Sequence, residues 1–145
     1  MACYVPLPDE PGGPELPDAL AGACGRLLLP VLLPDNDLDW AVHGGPLVPA
    51  PRGLREPPGP RLGPAGITAA GVVIVPALAV DRHGVRLGRG GGSYDRALAR
   101  VGAGTLVVAV VFDRELLDEV PEQPHDRRVD AVVTPSGGVL RLPAT

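Results

Sequence analysis

Lysine is absent. All 13 basic residues of this 145-residue chain are arginine, against 17 acidic ones, for a net charge of −4. A mildly acidic chain with no basic stripe is unsuited to gathering nucleic-acid phosphates, so that class of partner is excluded. Aromatic residues make up only 3%, so the core has to be built from Val, Leu and Ala. There are two cysteines, Cys3 and Cys24. Neither has metal-type spacing or a neighbouring histidine, so both are expected as buried or half-buried free thiols in a reducing compartment. No apolar run reaches the ~20 residues of a membrane span, and no charged-then-apolar leader opens the chain. A soluble, cytoplasmic protein with no membrane partner is expected.

Hydrophobic residues amount to 45%, which argues against wholesale disorder. Glycine (20) and proline (19) are abundant, chiefly before residue 66 and around one central turn. This pattern predicts stiff loops on one scaffold. Residues 2–7 read as a strand that starts almost at the first residue, which points to a segment preceding it. Residues 16–24 read as a helix, with Pro17 in its first turn, Leu16, Leu20, Ala23 and Cys24 on one face, and Gly25 ending it. The apolar run 26–33, interrupted by Pro30, reads as a central strand, and 38–42 as a weaker one. Residues 44–66 form a Pro/Gly-rich connection, long for a compact domain. Strands are predicted over 72–75, 105–112, 130–134 and 138–142, and short helices over 93–101 and 114–120. The order implies a single α/β domain of three layers, a mostly parallel central sheet flanked by helices.

The centre of this scheme is RLGRGGGSYD, residues 86–95. A tight strand-to-helix turn needs one or two glycines. Here Gly88, Gly90, Gly91 and Gly92 bracket Arg89. Such a stretch brings backbone N–H groups up to an anion, most often a phosphate, with the helix start and the Arg89 fork adding charge. It is neither a Walker A motif nor a full dinucleotide fingerprint. Asp95 either complements the helix dipole or binds Mg²⁺ beside the phosphates. Asp126 and Asp130 are candidate second carboxylates. His125, without a ligand-spaced partner, reads as a surface or hydrogen-bonding histidine, and His43 and His83 as loop residues. Ser93 lacks a nucleophile-elbow context. Glu10 and Glu56, in Pro-rich surroundings, read on their own as solvated charges.

VIVPALAVDRHGVRLGRGGGSYDRALAR, residues 73–100, resembles the signature of the 5-formyltetrahydrofolate cyclo-ligases. YVPLPDE (4–10), RLLLPVLL (26–33), GLREP (53–57) and PHDRRVDAVVTP (124–135) resemble further family segments in the same order. The resemblance implies an α/β architecture shared with sugar-phosphate isomerases. It also implies a monomer acting on two small molecules, reduced folate and ATP, with Mg²⁺ as cofactor. In such an enzyme Arg86, Leu87, Gly88, Arg89, Gly90, Gly91, Gly92, Ser93 and Tyr94 would cradle ATP, with Arg89 catalytic. Val5, Glu10, Arg89, Gly90, Gly91, Gly92 and Ser93 would meet the folate, and Asp95 and Asp126 would hold the metal.

Three departures from the family pattern stand out. A basic K-x-x-x-R helix normally precedes the point where this chain starts. Ser93 replaces an aromatic residue in GSYD, and Val80 replaces a phenylalanine in LAVD. A non-catalytic nucleotide- or folate-binding relative is the alternative these departures leave open, and a sugar-phosphate-binding protein of similar fold is a weaker one.

Overall fold

The computed structural model describes residues 1–124 and 126–143. In chain order the elements are β1 (Ala2–Cys3), α1 (Leu16–Cys24), β2 (Leu28–Leu32), β3 (Leu38–Val42), β4 (Val48–Pro49), β5 (Arg55–Glu56), β6 (Val72–Pro76), β7 (Ala79–Asp81), β8 (Arg86–Leu87), α2 (Ser93–Leu98), β9 (Leu106–Val110), β10 (Leu116–Leu117), β11 (Ala131–Thr134) and β12 (Gly138–Arg141). Among the described residues seven strands form one sheet in the order β12-β11-β9-β6-β1-β2-β3. The five inner strands are parallel, and β3 and β12 run antiparallel at the two edges. The expected mostly parallel α/β sheet is present, but its helical layers are thin. α1 has nine residues and α2 six.

The core follows from the apolar runs. Val73, Val75, Val107, Ala109 and Val132 are buried on the inner strands, together with Trp40, Ile67 and Leu98. A smaller cluster joins Cys3, Tyr4, Leu27 and Leu29 to α1 through Leu16, Leu20, Ala21 and Cys24. Ala21 therefore takes the place assigned to Ala23, which is exposed. The helix ends at Gly25, whose φ of 76° suits glycine. Both cysteines are free, Cys3 buried and Cys24 half-buried, as expected. No helix among the described residues is long and apolar enough to cross a membrane.

Two departures from the expected elements carry meaning for the site. β1 is only two residues long, although the Tyr4 N–H still donates to the Ile74 carbonyl at 3.2 Å. Beyond that point, among the described residues, no strand pairs with β2 on its β1 side. Pro30 lies there. Leu28 N–H donates to Met1 O, while Leu33 N–H donates to Asp37 O in β2's antiparallel partner segment. Even-numbered β2 residues thus turn their nitrogens toward β1, and the proline ring sits where no ladder bond is available. The second departure is residues 114–120. They form a 3₁₀ turn at Asp113–Glu115 and then β10, which pairs with β7, instead of a helix. Tertiary pairing overrides a weak helical pattern.

β10, β7 and β8 form a small second sheet that projects the glycine-rich turn. Its anchor is Asp81, 2% exposed. One carboxylate oxygen accepts from the His83 and Val85 N–H groups at 2.9 and 3.0 Å, and the other accepts from Val120 N–H at 3.0 Å. The hairpin tip touches the chain before β11 directly: Val129 N–H donates to Gly84 O at 2.8 Å, and a Cβ at Gly84 would lie 2.3 Å from the Val129 carbonyl.

Candidate active site

β1 lies at the point where the chain order reverses. β2 and β3 lie on one side of it, and β6, β9 and β11 on the other. In open α/β sheets, ligands bind outside the carboxyl ends of the strands at such a switch point. A cavity of about 350 Å³ lies there, with Tyr4, Val5, Pro30 and Pro76 among its lining residues. It exists because β1 stops after Cys3 and leaves a slot between β2 and β6. Its size is within the range of small-molecule sites.

The glycine-rich turn forms one wall. Gly90 and Gly92 have φ values of 98° and 75°, which side chains with a Cβ rarely adopt. Gly88 sits close against Arg86: a Cβ there would lie 3.2 Å from its Nη2, tighter than most real contacts. Gly91 has neither constraint, and its backbone lines the cavity with only Ser93 Oγ near a hypothetical Cβ, at 3.8 Å. Gly90 and Gly92 also line the cavity, with nothing within 4 Å of a hypothetical Cβ, so all three leave backbone open there. α2 begins only at Ser93 and is six residues long, so this wall offers loop backbone rather than a long helix dipole.

Arg86 is fixed on three sides, with a side chain only 6% exposed. Its Nε donates to Pro76 O at 2.8 Å, Nη1 reaches Asp95 Oδ1 at 3.3 Å, and the guanidinium lies 5.6 Å from the centre of the Tyr94 ring. Burial lowers its pKa, and the charges of Asp95 and then Asp126 work in the opposite direction. Arg89 is half exposed and reaches back across 80 residues of chain to Asp9 at 3.4 Å and to Glu10 Oε2 at 3.7 Å. Glu10 is mostly buried and accepts from the Leu7 N–H at 2.8 Å. Burial raises its carboxyl pKa above the ordinary range, against the Leu7 hydrogen bond and the Arg89 charge. Its loop is held by Tyr4, whose hydroxyl donates to Pro11 O at 2.6 Å.

The cavity thus brings together Val5, Glu10, Arg86, Gly88, Arg89, Gly90, Gly91, Gly92, Ser93, Tyr94 and Asp95. Leu87 is not among its lining residues. It is 43% exposed, and its backbone pairs with β7. Asp126 also lies outside the lining. It borders a second, polar cleft of about 750 Å³ together with Asp130 and His83, and its carboxylate accepts from the Gln123 N–H at 2.9 Å. Among the described residues no three His, Cys, Asp or Glu groups converge as a ready metal cage. Of the two aspartates expected to hold a metal, Asp95 lines the cavity, where it meets Arg86 Nη1 at 3.3 Å. His125 lies outside the described residues.

The sequence reading assigned no site residue to the facing wall, although so long a connection is usually functional or ordered by packing across a surface. The 44–66 connection is not a plain loop. It folds into the β4–β5 hairpin with a 3₁₀ turn, Pro51–Gly53, and brings Arg52, Leu54, Arg55 and Glu56 to the cavity. Glu56, read from the residues alone as solvated, is only 20% exposed and faces Arg61 at 3.5 Å.

The profile of the 5-formyltetrahydrofolate cyclo-ligase family matches residues 1–135. The chain belongs to the 5-formyltetrahydrofolate cyclo-ligase family. It is 48% identical to a curated cyclo-ligase of Mycolicibacterium smegmatis, over 98% of this chain and 76% of that protein. The solution structure of Aquifex aeolicus 5,10-methenyltetrahydrofolate synthetase superposes with a TM-score of 0.77 at 31% identity, covering 99% of this chain and 72% of that one. A Mycoplasma pneumoniae synthetase shares the fold, with a TM-score of 0.67 at 16% identity, covering 90% and 70%. Of the departures from the cyclo-ligase signature, Val80 is a wholly buried core residue, whereas Ser93 lines the cavity itself.

Proposed function

We propose that this protein converts 5-formyltetrahydrofolate to 5,10-methenyltetrahydrofolate, consuming ATP and releasing ADP and phosphate. One observation carries this reading: a glycine turn with two arginines faces a mostly buried glutamate across a single cleft, Arg89 to Glu10 at 3.7 Å. In the reaction the formyl oxygen attacks the γ-phosphorus, ADP leaves, N10 attacks the imidate carbon and gives up its proton to water, and phosphate departs with the former formyl oxygen. Phosphoryl transfer needs positioning and charge neutralisation rather than a protein nucleophile. Arg86 and the N–H groups around Gly91 hold the triphosphate, Arg89 leaves its carboxylate partners to meet the transferred group, and Glu10 accepts pterin N–H bonds. Asp95 and Asp126 would hold Mg²⁺, which when bound offsets phosphate charge. The remaining features of the reading are one domain over residues 1–145, acting as a cytoplasmic monomer on small molecules.

The test is to mix protein, Mg-ATP and 5-formyltetrahydrofolate and follow the absorbance of the methenyl product. Absence of both turnover and thermal stabilisation by either ligand would overturn the proposal. Ser93, in the cavity where an aromatic residue is usual, supports one rival: a binding-only relative, stabilised by ligand without turnover.

Two expected outcomes follow. Gly88→Ala should push the Arg86 guanidinium off its seat and weaken ATP binding roughly 10-fold or more, with little change in melting temperature. Glu10 must be ionised to accept pterin N–H groups. Because burial raises its pKa, folate affinity should fall as pH drops through that raised value, and the acidic limb should vanish in Glu10→Gln. Folding has the opposite sign. The protonated carboxyl is favoured in the folded state, so the associated stability is lost as pH rises through the same value.

A further inference from the structure

Asn36 and Arg52 are the only non-glycine residues at positive φ among the described residues, at 68° and 64°. Such conformations are unfavourable for residues with a Cβ and persist only where the surroundings enforce them. The two come from separate segments, Asn36 from the β2–β3 turn and Arg52 from the tip of the β4–β5 hairpin. They nevertheless meet: Arg52 Nη1 donates to Asn36 Oδ1 at 3.1 Å, and both line the active-site cavity.

The acceptor side of this contact is rigid. Arg96 Nη1 donates to Asp35 O at 2.7 Å, and Arg100 donates to both oxygens of Asp37 at 2.7 and 2.6 Å. Asn36 is therefore fixed by its two neighbours, and it engages one nitrogen of Arg52. The other guanidinium nitrogens of Arg52 make no hydrogen bond among the described residues, and the side chain is exposed. Glycine would adopt this backbone at less cost, and Gly53 stands next to it. An arginine here gives up backbone ease and gains a cation.

Its place in the cavity indicates the ligand. Glu10 and Arg89 meet at 3.7 Å, and Asn36 follows the end of β2, which flanks β1 on the side away from β6. Leu32, Leu38 and Leu54 line the same cavity. A ligand whose polar head meets Glu10 and Arg89 and whose far end reaches Arg52 needs a flat apolar middle and a second anion at that end. A reduced folate has this form: pterin, aminobenzoyl ring and glutamate carboxylates.

We propose that Arg52, positioned by Asn36, is a specificity-determining residue that receives the glutamyl carboxylates of the folate. The proposal rests on the cyclo-ligase reading given above. It is tested by measuring affinity for 5-formyltetrahydrofolate and for 5-formyltetrahydropteroate, which has the same rings and no glutamate, by calorimetry, with KM for ATP in parallel. The wild type should bind the glutamyl form roughly 10- to 100-fold more tightly, the range of a charge-assisted hydrogen bond. Arg52→Gly should erase that preference, leave pteroate affinity and KM for ATP unchanged, and not lower the melting temperature, since glycine accepts the backbone. Asn36→Gly, which keeps the charge and frees the side chain, should lose part of the preference. Equal binding of both compounds by the wild type overturns this proposal alone. So does an Arg52→Gly variant that weakens both compounds equally, or that raises KM for ATP and keeps the tail preference. A wild type that binds neither compound overturns the cyclo-ligase reading and this proposal with it.

Discussion

Asp81→Ala is expected to cost about 3–5 kcal/mol of stability, and so to leave a much reduced folded population at 37 °C. The side chain is 2% exposed and serves three backbone donors, those of His83, Val85 and Val120. An unsatisfied buried donor costs about 1–3 kcal/mol, and the total is held below a simple sum because water and small shifts recover part of it. Against a typical total of roughly 5–15 kcal/mol this is a large share. Urea unfolding should show a lower midpoint with a similar slope. Asp81→Asn should be milder and local. Its amide oxygen can still serve His83 and Val85, but its NH₂ would oppose the Val120 N–H. The Val120 amide should then exchange faster with solvent, while the centre of the main sheet stays protected. Equal midpoints for wild type and Asp81→Ala would show that the three donors find other partners.

Arg89→Ala is expected to lower kcat roughly 10²- to 10³-fold, the range for removing one group that stabilises charge in a transition state. KM for ATP should change much less, because Arg86, tied to Pro76 O and seated against Tyr94, and the loop N–H groups remain. Arg89→Lys should restore only part of the rate, since a point charge lacks the planar fork that spans two oxygens. Asp9→Ala is the counterpart. Asp9 holds Arg89 at 3.4 Å. Removing it frees the guanidinium, so ATP affinity should hold or rise slightly. A loss under about threefold in Arg89→Ala would exclude a role in the chemical step.

Parts of this fold were legible in the sequence for simple reasons. The helix Leu16–Cys24 has helical spacing and a glycine stop, and Leu38–Val42 is a short apolar run broken only by Asp39, so both are legible at their observed bounds. The β4–β5 hairpin was not, because strands of two residues carry no periodicity. The 114–120 segment misled because Leu116 and Leu117 face β7, a partner set by tertiary structure. The site divides in the same way. Its glycine wall is contiguous in sequence and stands out by composition. The opposing wall is made by Asn36 from the β2–β3 turn and by Arg52 and Glu56 from the β4–β5 hairpin, and a left-handed arginine looks like any other arginine in a string of letters.

Pro30 has a consequence for selectivity. The slot beside β2 is a vacant strand position in the middle of a sheet, the kind of place an extended peptide could occupy by adding its own backbone to the ladder. With a proline ring directed into that vacancy, β2 lacks the N–H that residue 30 would otherwise offer an incoming chain, and only that of Leu32 turns the same way. The opening is therefore a poor template for a stray polypeptide segment, whereas a flat heterocycle needs no such ladder.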